Sequence, residues 1–339
     1  MTFDVLVGQQ SAKNRLVRTL RDGRSHAFLI TGPDGSGKST LARAFAQHAV
    51  CDAPTERGAC GTCTPCVLFE AGTNPDVRFL ERSRLEKEKY LKVERVRREL
   101  SSDVDLRPQF SRRKVYVVEA DDLNEQGQNA LLKTLEEPPP NVVLALVART
   151  SASLLPTVLS RVCHVRLRPS PPEDLRRILA AAGVSDEGMT AFYSRYAQGV
   201  PGAALALAAS QDFAALREGV FSLLGTLGTA TRSTLLTEGY AFFADTRNKK
   251  EIDDLLTLLA TVVRDLLVLS TARDPDLLMH ADKKDMMERI RPKGGDAARR
   301  CQAAAAAIEA ARRGLRANTS YETTVCELLL QMRKEFSHA

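Results

Sequence analysis

The sequence predicts an α/β domain built on a parallel sheet, followed by an all-α remainder, and three observations predict it. Over the first 168 of 339 residues, short apolar runs alternate with amphipathic stretches. A glycine-rich loop pattern lies between one of these runs and the helix that follows. Past the proline-broken segment "LRPSPPEDL" (167–175), runs of the strand type stop and only helical periodicity remains. Strands alternating with helices require crossovers, and crossovers make a parallel sheet.

Taken in order, the strand candidates are "HAFLIT" (26–31), "DVRFL" (76–80), "KVYVV" (114–118), "NVVLALV" (141–147) and "CHVRL" (163–167). Amphipathic segments such as "SAKNRLVRTL" and "GQNALLKTLEE" separate them. Glu173 and Asp174 suit the first turn of a new helix. From there to residue 209 the pattern is a small group of helices interrupted at "QGVPGAALAL". Long helical periodicity fills 211–339, as in "IDDLLTLLATVVRDLLVL" (252–269) and "AARRCQAAAAAIEAARRGL" (297–315). The alanine-rich stretch, with Ile308 and Leu315 embedded, reads as a tightly packed helix, and "KKDMMERIRPKGGDA" as containing a turn between two helices. Three domains follow: 1–168, 169–210 and 211–339.

Hydrophobic residues make up 44% and charged residues 27%, ordinary for a globular protein. No apolar run approaches the roughly 18 residues that cross a bilayer. "MTFDVLVGQQ" lacks the basic flank and apolar run of a signal peptide, so the expectation is a cytoplasmic protein with no membrane partner. A net charge of +6 is compatible with a polyanionic partner and equally with an ordinary soluble surface.

"FLITGPDGSGKST" carries the most specific pattern. Gly32-x-x-x-x-Gly37-Lys38-Ser39 stands between a predicted strand and a predicted helix, as a phosphate loop requires. The glycines Gly32, Gly35 and Gly37, in a loop that also contains Pro33, let backbone N–H groups turn toward phosphates, and the helix beginning at Lys38, Ser39 and Thr40 adds its positive end. Lys38 would reach the outer phosphates of ATP or ADP, and the Ser39 hydroxyl would complete a Mg²⁺ shell. Hydrolysis needs carboxylates at a second strand end. "VYVVEADD" (115–122) supplies Glu119 followed by Ala120, and two registers place Glu119 at either the metal-holding or the water-positioning acid. In neither is the pair complete. Asp121 and Asp122 equally suit the start of the helix near Asn124.

Of seven cysteines, four crowd into Cys51-x8-Cys60-x2-Cys63-x2-Cys66 (51–66). Four thiolates at this spacing close a tetrahedral shell around Zn²⁺ with no position left for water, which is a structural rather than a catalytic site. An iron–sulfur cluster or a redox thiol pair stays open as an alternative. The insert follows the phosphate-loop helix and would hang from the edge of the sheet domain.

The order of these features, followed by "NALLKTLEEPP" (129–139) and "LPTVLSRVCHVRL" (155–167), resembles the bacterial clamp-loader branch of the AAA+ ATPases. The specific motifs cover the first 210 residues, and "LRANTSYETTVCELLLQM" (315–332) is loosely similar to the family's last helices. The resemblance implies a RecA-like domain with a zinc-knuckle insert, a small helical lid and a helical collar that assembles a hetero-pentameric ring. Motor (tau/gamma) and delta subunits would be partners in that ring, which loads the sliding clamp of the replicative DNA polymerase holoenzyme onto primed DNA. It implies that Arg161, in "LSRV", is an arginine finger inserted into a neighbour's ATP site, although Val162 replaces the usual cysteine. Without the resemblance Arg161 is an ordinary surface arginine. It also assigns Thr150 to the sensor-1 position and "LVGQ" (6–9), with Val7 and Gly8, to the adenine contact; the "NALLKTLEEPP" helix would lie near DNA. Motor subunits carry an arginine where Gly202 stands here, which implies a subunit with little or no ATP hydrolysis of its own. A short motor ATPase is the alternative, and a nucleotide-binding scaffold of DNA repair a further one.

Overall fold

Five short strands with almost no polar interruption are what a sheet covered on both faces demands. The computed structural model describes residues 2–82, 90–244, 249–272, 274 and 277–337. Its strands are β1 (Ala27–Thr31), β2 (Val77–Leu80), β3 (Lys114–Glu119), β4 (Val142–Ala148) and β5 (Cys163–Arg166), all parallel, in the order β2-β3-β4-β1-β5. Every residue of β1 and β4 is buried. Alternation of side chains divides the core: Phe28, Ile30, Val115, Val117 and Val143 lie on one face, and Leu29, Tyr116, Val118, Leu144 and Leu146 on the other.

Helices α1 (Gln10–Arg21) and α2 (Lys38–Val50) supply Leu16, Leu20, Leu41 and Phe45 to the first face. The second face is covered from α4 (Val93–Val96, continued by a π turn to Ser101), α5 (Glu125–Glu136) and α6 (Pro156–Leu159). Between them in sequence lies α3 (Thr64–Glu70), which belongs to the cysteine insert. Asn124 caps α5, its side chain accepting the Gly127 N–H at 2.9 Å. Asp121 and Asp122 therefore do not cap this helix. They accept the backbone N–H groups of Arg149 (2.6 Å) and Arg82 (2.8 Å).

Three helices follow the sheet: α7 (Pro172–Ala181), α8 (Glu187–Tyr196) and α9 (Pro201–Ala209). The chain forms two compact units, 1–178 with 198–203, and 179–197 with 204–339. Segment 169–210, expected from the sequence as one lid, is divided between them.

The second unit is helical. It contains α10 (Gln211–Leu227), the short turns α11 (Arg232–Thr234) and α12 (Tyr240–Ala244), α13 (Lys249–Thr271), α14 (Lys284–Ile290), α15 (Ala297–Arg316) and α16 (Tyr321–Phe336). On α13, Leu255, Leu259, Val262 and Leu266 are buried, and α15 packs against this helix. Ala304 and Ala307 of α15 are buried with Ile308, so the alanine-rich stretch is a packed helix. No described helix is long and apolar enough to cross a membrane.

Candidate functional site

In a sheet of this order ligands bind outside the carboxyl ends of the strands. The β1 strand ends at Thr31, and residues 32–37 turn directly into α2. Two of the glycines are needed for that turn: Gly35 and Gly37 have φ of +80° and +90°, which side chains disfavour. Lys38 is buried, its Nζ donating to the Pro33 carbonyl at 3.0 Å and pairing with Asp34 Oδ1 at 3.2 Å. The buried Ser36 Oγ has no hydrogen-bond partner among the described residues. An unsatisfied hydroxyl inside a loop of this kind fits a bound phosphate or water.

Ser39 Oγ donates to Glu119 Oε1 at 3.0 Å, so the single acid at the end of β3 faces the start of α2. Burial pushes the Glu119 carboxyl above the usual range, while the Ser39 hydrogen bond pulls it back. The next residue, Ala120, is buried and carries no carboxylate. Asp121 instead organises the end of β4. It accepts the Arg149 N–H and the Ser153 hydroxyl (2.9 Å), and lies 3.7 Å from the Arg149 guanidinium. Arg149 in turn approaches Asp34 at 3.9 Å. The Thr150 hydroxyl accepts the Ala152 N–H at 3.2 Å, capping the next turn. Arg149 thus reaches the phosphate loop beside Thr150, the residue singled out in the sequence.

Gly202, in the first turn of α9, lies against the phosphate loop. Its N–H donates to the Gly35 carbonyl at 2.8 Å. A Cβ at 202 would stand 2.7 Å from Gly35 Cα and 2.9 Å from its carbonyl oxygen. Val7 and Gly8 are half-buried, and Gly8 packs beside Asp174 at the start of α7. The neighbouring Gln9 joins this segment to the end of β5. Its amide donates to the Arg168 carbonyl (2.6 Å) and accepts the Arg168 N–H (3.1 Å).

Arg161 lies on the other side of β5's entry, just after α6. It pairs with Glu136 at 2.8 Å and donates to the Thr157 carbonyl at 2.9 Å, with its side chain 36% exposed. The buried Gln128 of α5 holds the segment leading to it, donating to the Ser153 carbonyl (3.0 Å) and accepting the Leu155 N–H (2.8 Å). Asn129 and Lys133, on the same helix, are exposed.

The four cysteines come together. Cys51 ends α2, Cys63 precedes α3, Cys66 lies within it, and the Sγ atoms of these and Cys60 fall within 4.8 Å of one another. The Cys60 and Cys63 N–H groups point at Cys51 Sγ (3.2 Å) and Cys60 Sγ (3.4 Å). Backbone N–H groups of Thr62 and Cys63 hold the Cys60 thiol down to about 6. Burial pushes the Cys51 and Cys66 thiols up. Bringing all four to thiolates in this burial needs a compensating dication, and the cluster fits zinc. The insert does not hang free. Thr2 bridges to Gly58, Phe3 N–H reaches the Arg57 carbonyl (2.9 Å), and the Gln47 amide of α2 donates to Glu70 (3.0 Å).

Sheet, loop and cluster together define a RecA-like P-loop domain with a four-cysteine insert. Residues 8–171 match the family model described as "DNA polymerase III, delta subunit". DNA polymerase III subunit delta′ of Pseudomonas aeruginosa is 42% identical over 152 residues, covering 44% of this chain and 45% of that protein. The Escherichia coli subunit delta′ is 34% identical, covering 57% and 58%. Subunit tau of Salmonella typhimurium is 34% identical, covering 67% of this chain and 36% of its own length. The matched region therefore spans less than two thirds of each of these relatives. Over this region the chain is similar to DNA polymerase III subunits, delta′ and tau/gamma among them.

Proposed function

We propose that this chain serves as a delta′ subunit of a DNA polymerase III clamp loader, a stator that binds nucleotide without turning it over. The observation that carries this reading is the intact phosphate loop joined to an incomplete catalytic constellation. Ser39 meets one carboxylate, Glu119, and the neighbouring place is filled by buried Ala120. Glu119 beside Ser39 suits the metal-holding acid, and these two residues would hold Mg²⁺ when nucleotide binds; Ala120, in the following position, cannot activate water. Gly202, packed on Gly35, supplies no cation to sense a γ-phosphate.

The chemistry is then given in trans. Arg161 lies on the surface, and its exposed pair with Glu136 is worth at most about 1 kcal/mol, so a neighbour's phosphates can take it over. There its guanidinium neutralises charge developing on the transferring phosphoryl group, an effect of roughly 10³–10⁵ in rate. In this reading residues 1–168 act as the nucleotide domain, 169–210, though divided between the two compact units, as the lid, and 211–339 as the collar that joins motor and delta subunits around the sliding clamp and primed DNA. Cys51, Cys60, Cys63 and Cys66 hold a structural Zn²⁺ that fixes the insert. The similarity to DNA polymerase III subunits supports a cytoplasmic place in the replisome.

The test is Arg161→Ala in a reconstituted loader. Assembly should persist while DNA-stimulated ATPase falls at least tenfold; an unchanged rate removes the finger. A motor role is the second reading, favoured by the complete Gly32–Ser39 motif.

A further inference from the structure

A phosphate loop ordinarily keeps its cations free for phosphate, yet here an acid from the loop itself takes them. Asp34 places Oδ1 3.2 Å from Lys38 Nζ, the amine that would meet the outer phosphates, and Oδ2 3.9 Å from Arg149 Nη1. Two cations from different elements, α2 and the end of β4, converge on one carboxylate. Arg149 is aimed there by Asp121, which accepts its backbone N–H at 2.6 Å and stands 3.7 Å from its Nε. The Asp34–Lys38 and Asp34–Arg149 pairs are formed by a side chain 74% exposed, so they are weak and exchangeable.

We propose that Asp34 is a built-in occupant of the phosphate site, an internal carboxylate that nucleotide must displace, and that Arg149 then passes from Asp34 to the terminal phosphate. This rests on the reading that Gly32–Ser39 binds nucleotide. It makes the site a self-inhibited one. ATP and ADP both compete with Asp34 for Lys38, whereas the Arg149 fork rewards the γ-phosphate alone. Arg149 thereby supplies in cis a cation that position 202 lacks. Once displaced, Asp34 remains near polyphosphate as a like charge. A singly charged repulsion at a wet surface corresponds to about 1 kcal/mol, or about fivefold in affinity.

The experiment titrates the full chain with fluorescent mant-ADP and mant-ATP in the presence of Mg²⁺. Asp34→Asn, at an exposed position, should tighten both nucleotides about fivefold or more, with the unfolding midpoint unchanged. Arg149→Ala should weaken mant-ATP severalfold and leave mant-ADP within twofold. Lys38→Ala should lose both. Wild-type affinity in Asp34→Asn, with binding lost in Lys38→Ala, overturns the inference and spares the nucleotide reading. Equal effects of Arg149→Ala on ATP and ADP overturn the assignment of Arg149 to the terminal phosphate. Undiminished binding by Lys38→Ala, or no binding by wild type and Asp34→Asn alike, overturns the nucleotide reading itself.

Discussion

Gly202→Ala tests the packing on which the phosphate loop depends. The new Cβ would lie 2.7 Å from Gly35 Cα and 2.9 Å from the Gly35 carbonyl oxygen. An unstrained carbon–carbon contact is about 3.5–4.0 Å, so the deficit is roughly an ångström. Both atoms belong to backbone, so no rotamer change relieves it; the first turn of α9 and the loop must separate. Overpacking of this kind costs about 1–3 kcal/mol. Separation also breaks the 2.8 Å bond from Gly202 N–H to Gly35 O, worth about 0.5–1.5 kcal/mol. Together the loss is about 1.5–4.5 kcal/mol in the first unit. Far-UV circular dichroism during urea unfolding reads the stability, and amide hydrogen exchange of the 32–38 peptide reads the loop. The variant should unfold at lower urea and exchange faster in that peptide. Wild-type values in both would refute the contact. The same obstruction means that Gly202→Arg should not create a motor, because the Cβ collides before the guanidinium can reach a phosphate.

Three further outcomes bear on other parts of the molecule. Elemental analysis of natively purified protein should give one zinc per chain. Cys66→Ser, at a buried position, should lose it and expose 51–66 to protease, and metal-free native protein would refute the cluster's assignment. His280 is buried between Arg217 on α10 and Arg264 and Asp265 on α13, near Asp282, and burial with the two arginines lowers its pKa from 6.5 to about 3. Its unfolded form binds the proton more readily, so its contribution to stability is complete above about pH 6.5. It is lost as pH falls toward 3, at roughly 1.4 kcal/mol per unit. Urea midpoints measured from pH 7 to 4 should therefore fall less steeply in His280→Asn than in wild type; parallel curves would refute this origin.

The inner strands are legible in the sequence because a buried parallel strand is written as a nearly uninterrupted apolar run, as "NVVLALV" is, whereas the edge strands β2 and β5 carry Arg78, His164 and Arg166 and are legible only as shorter mixed runs. The phosphate loop and the cysteine cluster are legible because their ligands are local. What is not legible depends on residues far apart in the chain. The register of Glu119 stays ambiguous by counting, and its 3.0 Å bond to Ser39 at the start of α2, 80 positions away in the chain, has no sequence signature. Arg149 escapes notice because nothing in "LALVART" indicates that Asp121 turns its guanidinium toward Asp34. Gly202 is noticeable as a missing arginine, yet its backbone bond to Gly35 has no sequence signature. Asp76 is similar: buried, it accepts the N–H groups of Gln109, Phe110 and Ser111 at 2.7–2.8 Å and shapes a loop that no local pattern announces. The short α4 and its π turn are too brief to give a clear period.

The central claim, a nucleotide cradle kept without the machinery of hydrolysis, is tested most directly by measuring ATP binding and ATP turnover on the isolated chain. The account predicts saturable binding of one nucleotide per chain with no steady-state hydrolysis above background, with or without primed DNA. Sustained, DNA-stimulated turnover that is abolished by Lys38→Ala would contradict it.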